Sequence, residues 1–120
     1  MDESILSFKK KDHITIIVLY PRKLYQQRVH EFREEMVSLL DAGHQHLIID
    51  LSNVEVMNSS ALGVLILTMD RLNKTEGTMV VLGLCSLLQE LFQRMRLDTL
   101  IPVAQNMNEA FDIINKGPIK

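Results

Sequence analysis

The stretch that decides the fold runs from residue 50 to residue 67 and reads Asp50-Leu-Ser-Asn-Val-Glu-Val-Met-Asn-Ser-Ser-Ala-Leu-Gly-Val-Leu-Ile-Leu67. It begins within Gln45–Leu51, a short apolar segment that is typical of a buried strand. A loop follows, and then apolar residues recur at helical spacing. Asn58, Ser59 and Ser60 stand side by side where this helix should start, and all three residue types commonly cap helices. The stretch therefore predicts a strand, a loop and a helix whose first turn is polar.

Segments on both sides of this stretch alternate between strand-like and helix-like patterns. The predicted strands are residues 4–10, 14–20, 45–51, 78–84 and 100–103, and the predicted helices are residues 25–40, 59–73, 86–96 and 106–114. Strands separated by helices pair in parallel through right-handed crossovers, and the first strand is expected to be antiparallel at the edge. The sequence predicts a single α/β domain over residues 1–120, with its core at about 4–115. We expect a mostly parallel sheet of four to five strands, with an antiparallel edge strand, packed against about four helices.

Composition and charge exclude several classes of protein. The 120 residues carry a formal net charge of −2, and Lys9–Lys11 is the one basic cluster, so we expect no nucleic-acid partner. The longest apolar stretch, Ala61–Leu67, is far shorter than the ~18 residues that span a bilayer, so no membrane insertion is expected. The one cysteine, Cys85, cannot form an internal disulfide, and the acidic N-terminus lacks the pattern of a secretory signal. These features predict a cytoplasmic protein.

The motifs of common enzyme classes are absent from the sequence. It contains no glycine-rich phosphate loop and no Gly-x-Ser-x-Gly nucleophile elbow. His44 and His46 stand two residues apart, but no cysteine or third ligand neighbours them, so no metal site is predicted. No histidine has a spacing that would bring it to Ser59 as a general base. We therefore predict a protein that is not an enzyme and that holds no cofactor or metal.

The polar start of the central helix admits two interpretations. Asn58 or Ser59 can satisfy an unpaired amide of the first turn and would then be only a cap. Alternatively, a second hydroxyl stays free at the surface next to an apolar patch for a protein partner. The predicted inward stripe of the helix is formed by residues at helical spacing: Leu62, Leu65, Ile66, Met69 and Leu72. The side that faces away from this stripe carries few charges, which fits either such a patch or deeper burial; its residues are Ala61, Val64, Leu67 and Thr68.

These motifs resemble the STAS domain, the family of anti-sigma-factor antagonists and their relatives in sulfate transporters, stressosomes and lipid-transport complexes. Asp50-Leu-Ser-Asn-Val followed by Met57-Asn-Ser-Ser-Ala-Leu-Gly-Val-Leu is similar to the family's Asp-Leu-x-x-Val, then an aromatic residue or Met, then Asp-Ser-Ser-Gly-Leu-Gly. Gly77-Thr-Met-Val-Val-Leu, Leu91-Phe92 and Arg96-Leu97 support the match. The resemblance covers roughly residues 4 to 115 and implies the fold described above.

The resemblance also implies a function in regulation through protein binding. In antagonists of this family the first serine of the pair is phosphorylated by the anti-sigma factor, itself a serine kinase, and this weakens or abolishes the complex. By position that serine is Ser59 here, and the expected partner-binding residues are Asn58, Ser60, Ala61, Val64, Leu67 and Thr68. A phosphate near a helix N-terminus is tolerated by the helix dipole, so we expect the interface to change and the fold to survive.

Three departures from the family pattern support a second hypothesis. Asn58 replaces the usual Asp, Ala61 replaces the usual Gly, and the segment Tyr20–Gln27 lacks the acidic residue of antagonists. Arg22 and Lys23 bring positive charge to that segment instead. The second hypothesis is a constitutive STAS subunit of a transporter or stressosome-like assembly, without a phosphate cycle. The sequence leaves the oligomeric state open, and a homo-oligomer is one option.

Overall fold

A five-stranded sheet lies at the centre of the computed structural model, which describes residues 4–116. Its strands lie in the spatial order β1 (Leu6–Lys11), β2 (Ile14–Leu19), β4 (His46–Asp50), β6 (Thr78–Leu82) and β7 (Val103–Ala104). Two short strands, β3 (Lys23–Leu24) and β5 (Val56–Met57), pair with each other in parallel. β1 and β2 are antiparallel, and the remaining pairs of the large sheet are parallel. The predicted mostly parallel sheet with an antiparallel edge strand is confirmed.

Four α-helices lie within residues 4–116: α1 (Gln27–Asp41), α2 (Ser59–Lys74), α3 (Ser86–Arg94) and α4 (Met107–Lys116). The first three connect strands, and α4 follows β7. A short 3-10 helix, Leu97–Thr99, precedes β7. None of these helices combines the length and the apolar character that a membrane span requires. The predicted α/β class with about four helices is thus confirmed, while the predicted domain ends at residues 1 and 120 lie outside the described part of the chain.

The core has two parts because the sheet is covered on both faces. Successive side chains of a strand point to opposite faces, so Leu47 and Ile49 of β4 lie on one face and Ile48 on the other. The face with Leu47 and Ile49 packs against α1, α2 and α3, through residues that include Phe32, Met36, Leu62, Leu65, Leu88 and Phe92. The face with Ile48 packs against α4, through Ala110 and Ile114. The three central residues of β4, Leu47, Ile48 and Ile49, are completely buried, as expected for an interior parallel strand.

Two details near the end of β6 differ from the prediction. The strand ends at Leu82 and not at Leu84, because Gly83 adopts a φ of +81° and a Cβ there would overlap Ser52 Oγ. Ser86 was expected to cap α3, but Cys85 occupies the N-cap position and makes no side-chain hydrogen bond there. The end of β6 is thus set by the close approach of Gly83 to Ser52, and no sequence pattern indicates this approach.

Histidines gather where β2, β4 and β6 begin. His46 Nδ1 lies 2.9 Å from Thr78 Oγ1, and the His13 ring meets the His46 ring edge-on with 5.2 Å between centroids. Burial lowers the pKa of His46 below its usual 6.5, and the neighbouring charge of His13 lowers the pKa further. Among residues 4–116, no three His, Cys, Asp or Glu side chains are grouped so as to hold a metal ion.

We predict that His46 makes the fold less stable in mild acid. Well above pH 6.5 the imidazole is neutral in both states, but as the pH falls towards and below 6.5 the unfolded chain binds the proton more readily than the folded one. The free energy of unfolding in urea should therefore fall less between pH 7.5 and 5.5 in His46→Gln than in the unmodified protein. Equal losses in His46→Gln and in the unmodified protein would contradict the assignment.

Candidate protein-binding site at the start of α2

Hydrogen bonds in the turn after β4 fix the route of the chain towards α2. Asp50 Oδ1 accepts hydrogen bonds from the Ser52 amide at 2.9 Å and from Ser52 Oγ at 2.5 Å. Asn53 Nδ2 donates to the backbone oxygen of Leu19 in the neighbouring strand at 3.2 Å, and Val54 is completely buried. This turn is thus held by its own carboxylate, by β2 and by the core.

The segment that leads into α2 is held by the loop that follows β2. β5 pairs with β3 so that Lys23 lies beside Val56 and Leu24 beside Met57. The Asn58 amide then donates to the backbone oxygen of Leu24 at 3.4 Å. The start of α2 is therefore anchored by backbone hydrogen bonds to β3, which gives its first residues a defined position.

The positive charge expected in that loop is partly neutralised. The Arg22 guanidinium contacts both carboxylate oxygens of Glu55, at 3.2 and 3.3 Å, in an exposed ion pair. Lys23 is exposed and makes no ion pair with the described residues. Of the two cations that the sequence places here, Lys23 is therefore the one whose charge is available to a group at the start of α2.

Asn58 caps α2. Its backbone is extended (φ −88°, ψ 177°), and its side-chain oxygen accepts a hydrogen bond from the Ala61 amide at 2.9 Å. Ser59 and Ser60 are exposed, and within residues 4–116 neither hydroxyl makes a hydrogen bond. The first turn of α2 also contains no acidic residue, so the partial positive charge of the helix start is not compensated by a side chain. Of the two interpretations of the polar helix start, the geometry supports a cap at Asn58 together with two free hydroxyls.

Half of the residues predicted to bind a partner lie in the core. Ala61, Val64 and Thr68 are buried, with at most 4% of their surface exposed, so the expectation that they form a surface patch is wrong. The reason is that α2 packs against both the sheet and α1, and the two contacts together bury more of the helix than one apolar stripe. Thr68 tolerates this burial because its hydroxyl donates to the backbone oxygen of Val64 at 2.8 Å.

The apolar residue on the exposed side of α2 is Ile66, which was not among the residues predicted to bind a partner. Ser59, Gly63 and Ile66 follow one another at helical spacing on the solvent side, and Ile66 is 39% exposed although its periodicity predicted an inward position. Leu67 is half-buried beside them. We define the α2 surface by these residues and the helix start: Asn58, Ser59, Ser60, Gly63, Ile66 and Leu67. A groove of about 170 Å³ continues this surface, with Ile66 and Leu100 among its lining residues.

We predict that Asn58, and neither serine, stabilises α2 by capping. Asn58→Ala should lower the free energy of unfolding by about 1 kcal/mol, the usual cost of losing an N-cap. Ser59→Ala is the matched control and should change the stability by at most a few tenths of a kcal/mol, because its hydroxyl makes no hydrogen bond with the described residues. Urea unfolding measures both values. A Ser59→Ala loss as large as that of Asn58→Ala would show that Ser59 provides the cap.

Comparison with known proteins agrees with this architecture. The family model of the STAS domain matches residues 6–110. An anti-sigma-factor antagonist from Mycobacterium paratuberculosis has a similar structure, with a TM-score of 0.82, 18% identity and coverage of 92% of each chain. The Bacillus cell fate determinant SpoIIAA in its phosphorylated form gives a TM-score of 0.68 at 20% identity, covering 89% of this chain and 96% of SpoIIAA. None of the curated proteins matches the chain in sequence.

A further similar fold is found among the solved structures. A serine-to-glutamate variant of RsbS from Moorella thermoacetica gives a TM-score of 0.75 at 21% identity, covering 92% of this chain and 95% of RsbS. At such identities the likeness of these structures shows a common fold. The family model, however, spans most of the sequence, from β1 into α4. The chain therefore belongs to the STAS domain family.

Proposed function

We propose that this STAS domain is a cytoplasmic regulator that binds an anti-sigma factor or a similar serine kinase through the α2 surface, with phosphorylation of Ser59 as the switch. The observation that carries the proposal is that Asn58 caps α2 and leaves the exposed Ser59 hydroxyl without a hydrogen bond to the described residues. Similar structures support it, since they include anti-sigma-factor antagonists and one phosphorylated protein. The proposal assigns binding to the chain and no catalysis.

The α2 surface offers a partner both an apolar contact and a modifiable group. Ile66 and Gly63 let a partner pack closely against the middle of the exposed side, and Ser59 stands one turn before Gly63. The contacts around such an apolar patch exclude water from its centre, and Ser59 lies only one helical turn from Gly63. A change of charge at Ser59 would therefore act directly on the bound state.

Phosphorylation would weaken the complex while leaving the fold intact. A phosphate adds about −1.5 to −2 charges, and at Ser59 it would meet the uncompensated helix start, where negative charge is favourable. Burying this charge in an interface without a matching cation costs several kcal/mol, which is equivalent to orders of magnitude in affinity. Arg22 already contacts Glu55, so Lys23 is the cation left in the adjoining loop to offset that cost.

The first test compares a negative charge at each serine. Ser59→Asp should weaken binding to the partner anti-sigma factor at least tenfold, whereas the matched Ser60→Asp should weaken it less, because Ser59 is the residue in line with Gly63 and Ile66. Isothermal titration gives both affinities, and thermal unfolding should show that both variants remain folded. A larger loss in Ser60→Asp would move the switch to Ser60 and contradict the proposal.

The second test examines the apolar part of the α2 surface. Ile66→Glu should abolish partner binding with little change in stability, because the side chain is already partly exposed to water. Leu87→Glu is the matched control, since Leu87 is an exposed apolar residue of α3 outside the α2 surface and should leave the affinity unchanged. Unchanged affinity in Ile66→Glu would place the interface elsewhere.

The departures from the family pattern favour one second candidate, a constitutive subunit of a larger assembly without a phosphate cycle. The specific observation is that Asn58 is neutral and that the first turn of α2 has no carboxylate next to the serines. Among the structures with this fold is one from the stressosome, with a TM-score of 0.71 at 23% identity. This candidate predicts tight binding that Ser59→Asp does not weaken, so the first test separates the two.

A further inference from the structure

The outer edge of β1 carries backbone groups that no neighbouring strand uses. Within residues 4–116, β2 is the one strand that pairs with β1. The Tyr20 amide donates to the backbone oxygen of Ile5 at 2.9 Å, so the odd-numbered residues of this strand turn their peptide groups towards β2. The amides and carbonyls of Phe8 and Lys10 therefore point away from the sheet.

At the start of β1, the outward backbone groups of Leu6 already have hydrogen-bond partners. Ser4 Oγ donates to the backbone oxygen of Leu6 at 2.6 Å and accepts from the Leu6 amide at 3.3 Å, so these outward groups are satisfied within the chain. The open part of the edge is therefore short, from Phe8 to Lys11. We call this stretch the β1 edge.

Positive charge is concentrated on the β1 edge. Lys9, Lys10 and Lys11 are exposed, and none of them makes an ion pair with the described residues. The Lys11 ammonium group lies 5.4 Å from the centre of the Phe111 ring of α4, which places the side chains of Lys9 and Lys11 on the α4 face of the sheet. Phe8 and Lys10 lie on the other face, where Phe8 is 49% exposed.

These lysines make it unfavourable for the β1 edge of a second copy of the chain to pair with this edge. An antiparallel pairing that uses the outward groups of Phe8 and Lys10 places Lys9 directly opposite Lys9 of the copy, and a pairing centred on Lys10 places Lys10 opposite itself. Like charges directly opposite each other destabilise a strand pair. A pairing centred on Phe8 would need the outward groups of Leu6, which Ser4 occupies. Lysines on edge strands are a general protection against such self-association.

We propose that the β1 edge binds an extended acidic segment of a partner protein, which adds a strand to the sheet. The segment would exchange backbone hydrogen bonds with Phe8 and Lys10, as in other cases of strand addition. Its carboxylates would lie on the α4 face beside Lys9 and Lys11, and its apolar side chains would lie on the opposite face beside Phe8. This alternation follows from the strand period of two. The site is independent of Ser59 and of the proposed function of the α2 surface.

The test uses the peptide Glu-Val-Glu-Val-Glu, blocked at both ends, with the isotope-labelled full-length chain in NMR titrations. We expect the largest shifts at the amides of residues 7–11, together with slower hydrogen exchange of the Phe8 and Lys10 amides. Screening lowers electrostatic attraction, so binding should weaken as the salt concentration rises. The peptides Lys-Val-Lys-Val-Lys and Val-Glu-Glu-Glu-Val should bind at least tenfold more weakly, because the first has the wrong charge and the second lacks the alternation.

Two double variants that remove the same charge distinguish binding at the β1 edge from general attraction of the acidic peptide to a basic protein surface. The double substitution Lys9→Gln with Lys11→Gln should weaken binding of Glu-Val-Glu-Val-Glu at least tenfold. The double substitution Arg33→Gln with Lys74→Gln removes the same charge from exposed helix positions and should leave the affinity unchanged. Equal effects of the two doubles, or binding without slower exchange at Phe8 and Lys10, would overturn the proposal.

Discussion

Strand β4 is the element on which the position of the functional site depends. It lies between β2 and β6 and is parallel to both, and Leu47, Ile48 and Ile49 are completely buried in the two parts of the core. Parallel neighbours require long crossovers, and α1 and α2 provide them on the same face of the sheet. The chain must therefore leave the carboxyl end of β4 and begin α2 there, so the first turn of α2 stands at an edge of the fold where a partner can reach it.

The cap at the start of α2 links this architecture to the proposed switch at Ser59. Asn58 satisfies the Ala61 amide with a neutral side chain, so it adds no negative charge next to Ser59. An aspartate at this position could accept the same hydrogen bond and would also place a carboxylate beside the Ser59 hydroxyl. The departure from the family pattern at residue 58 therefore preserves the helix start but removes that carboxylate, and this is why it favours the constitutive candidate.

The local sequence pattern predicted the order of the main strands and helices, but it did not predict how deeply the residues of α2 are buried. Runs of β-branched and apolar residues such as Leu47–Ile49 predicted the interior strands, and the adjacent cap residues predicted the start of α2. Periodicity could not show that α1 and the sheet both cover α2, so Val64 was expected at the surface and Ile66 in the core. β3 and β5, at two residues each, are too short to produce a period, and they exist because a distant segment lies beside them.

The exposed Ser59 hydroxyl is, in our proposal, the regulated group of this molecule. Fragmentation mass spectrometry of the protein isolated from the cells that produce it, across residues 58–63 and under several growth conditions, measures this directly. We predict a single phosphate on Ser59 in at least one condition, with Ser60 unmodified. A phosphate confined to Ser60, or none in any condition, would contradict it.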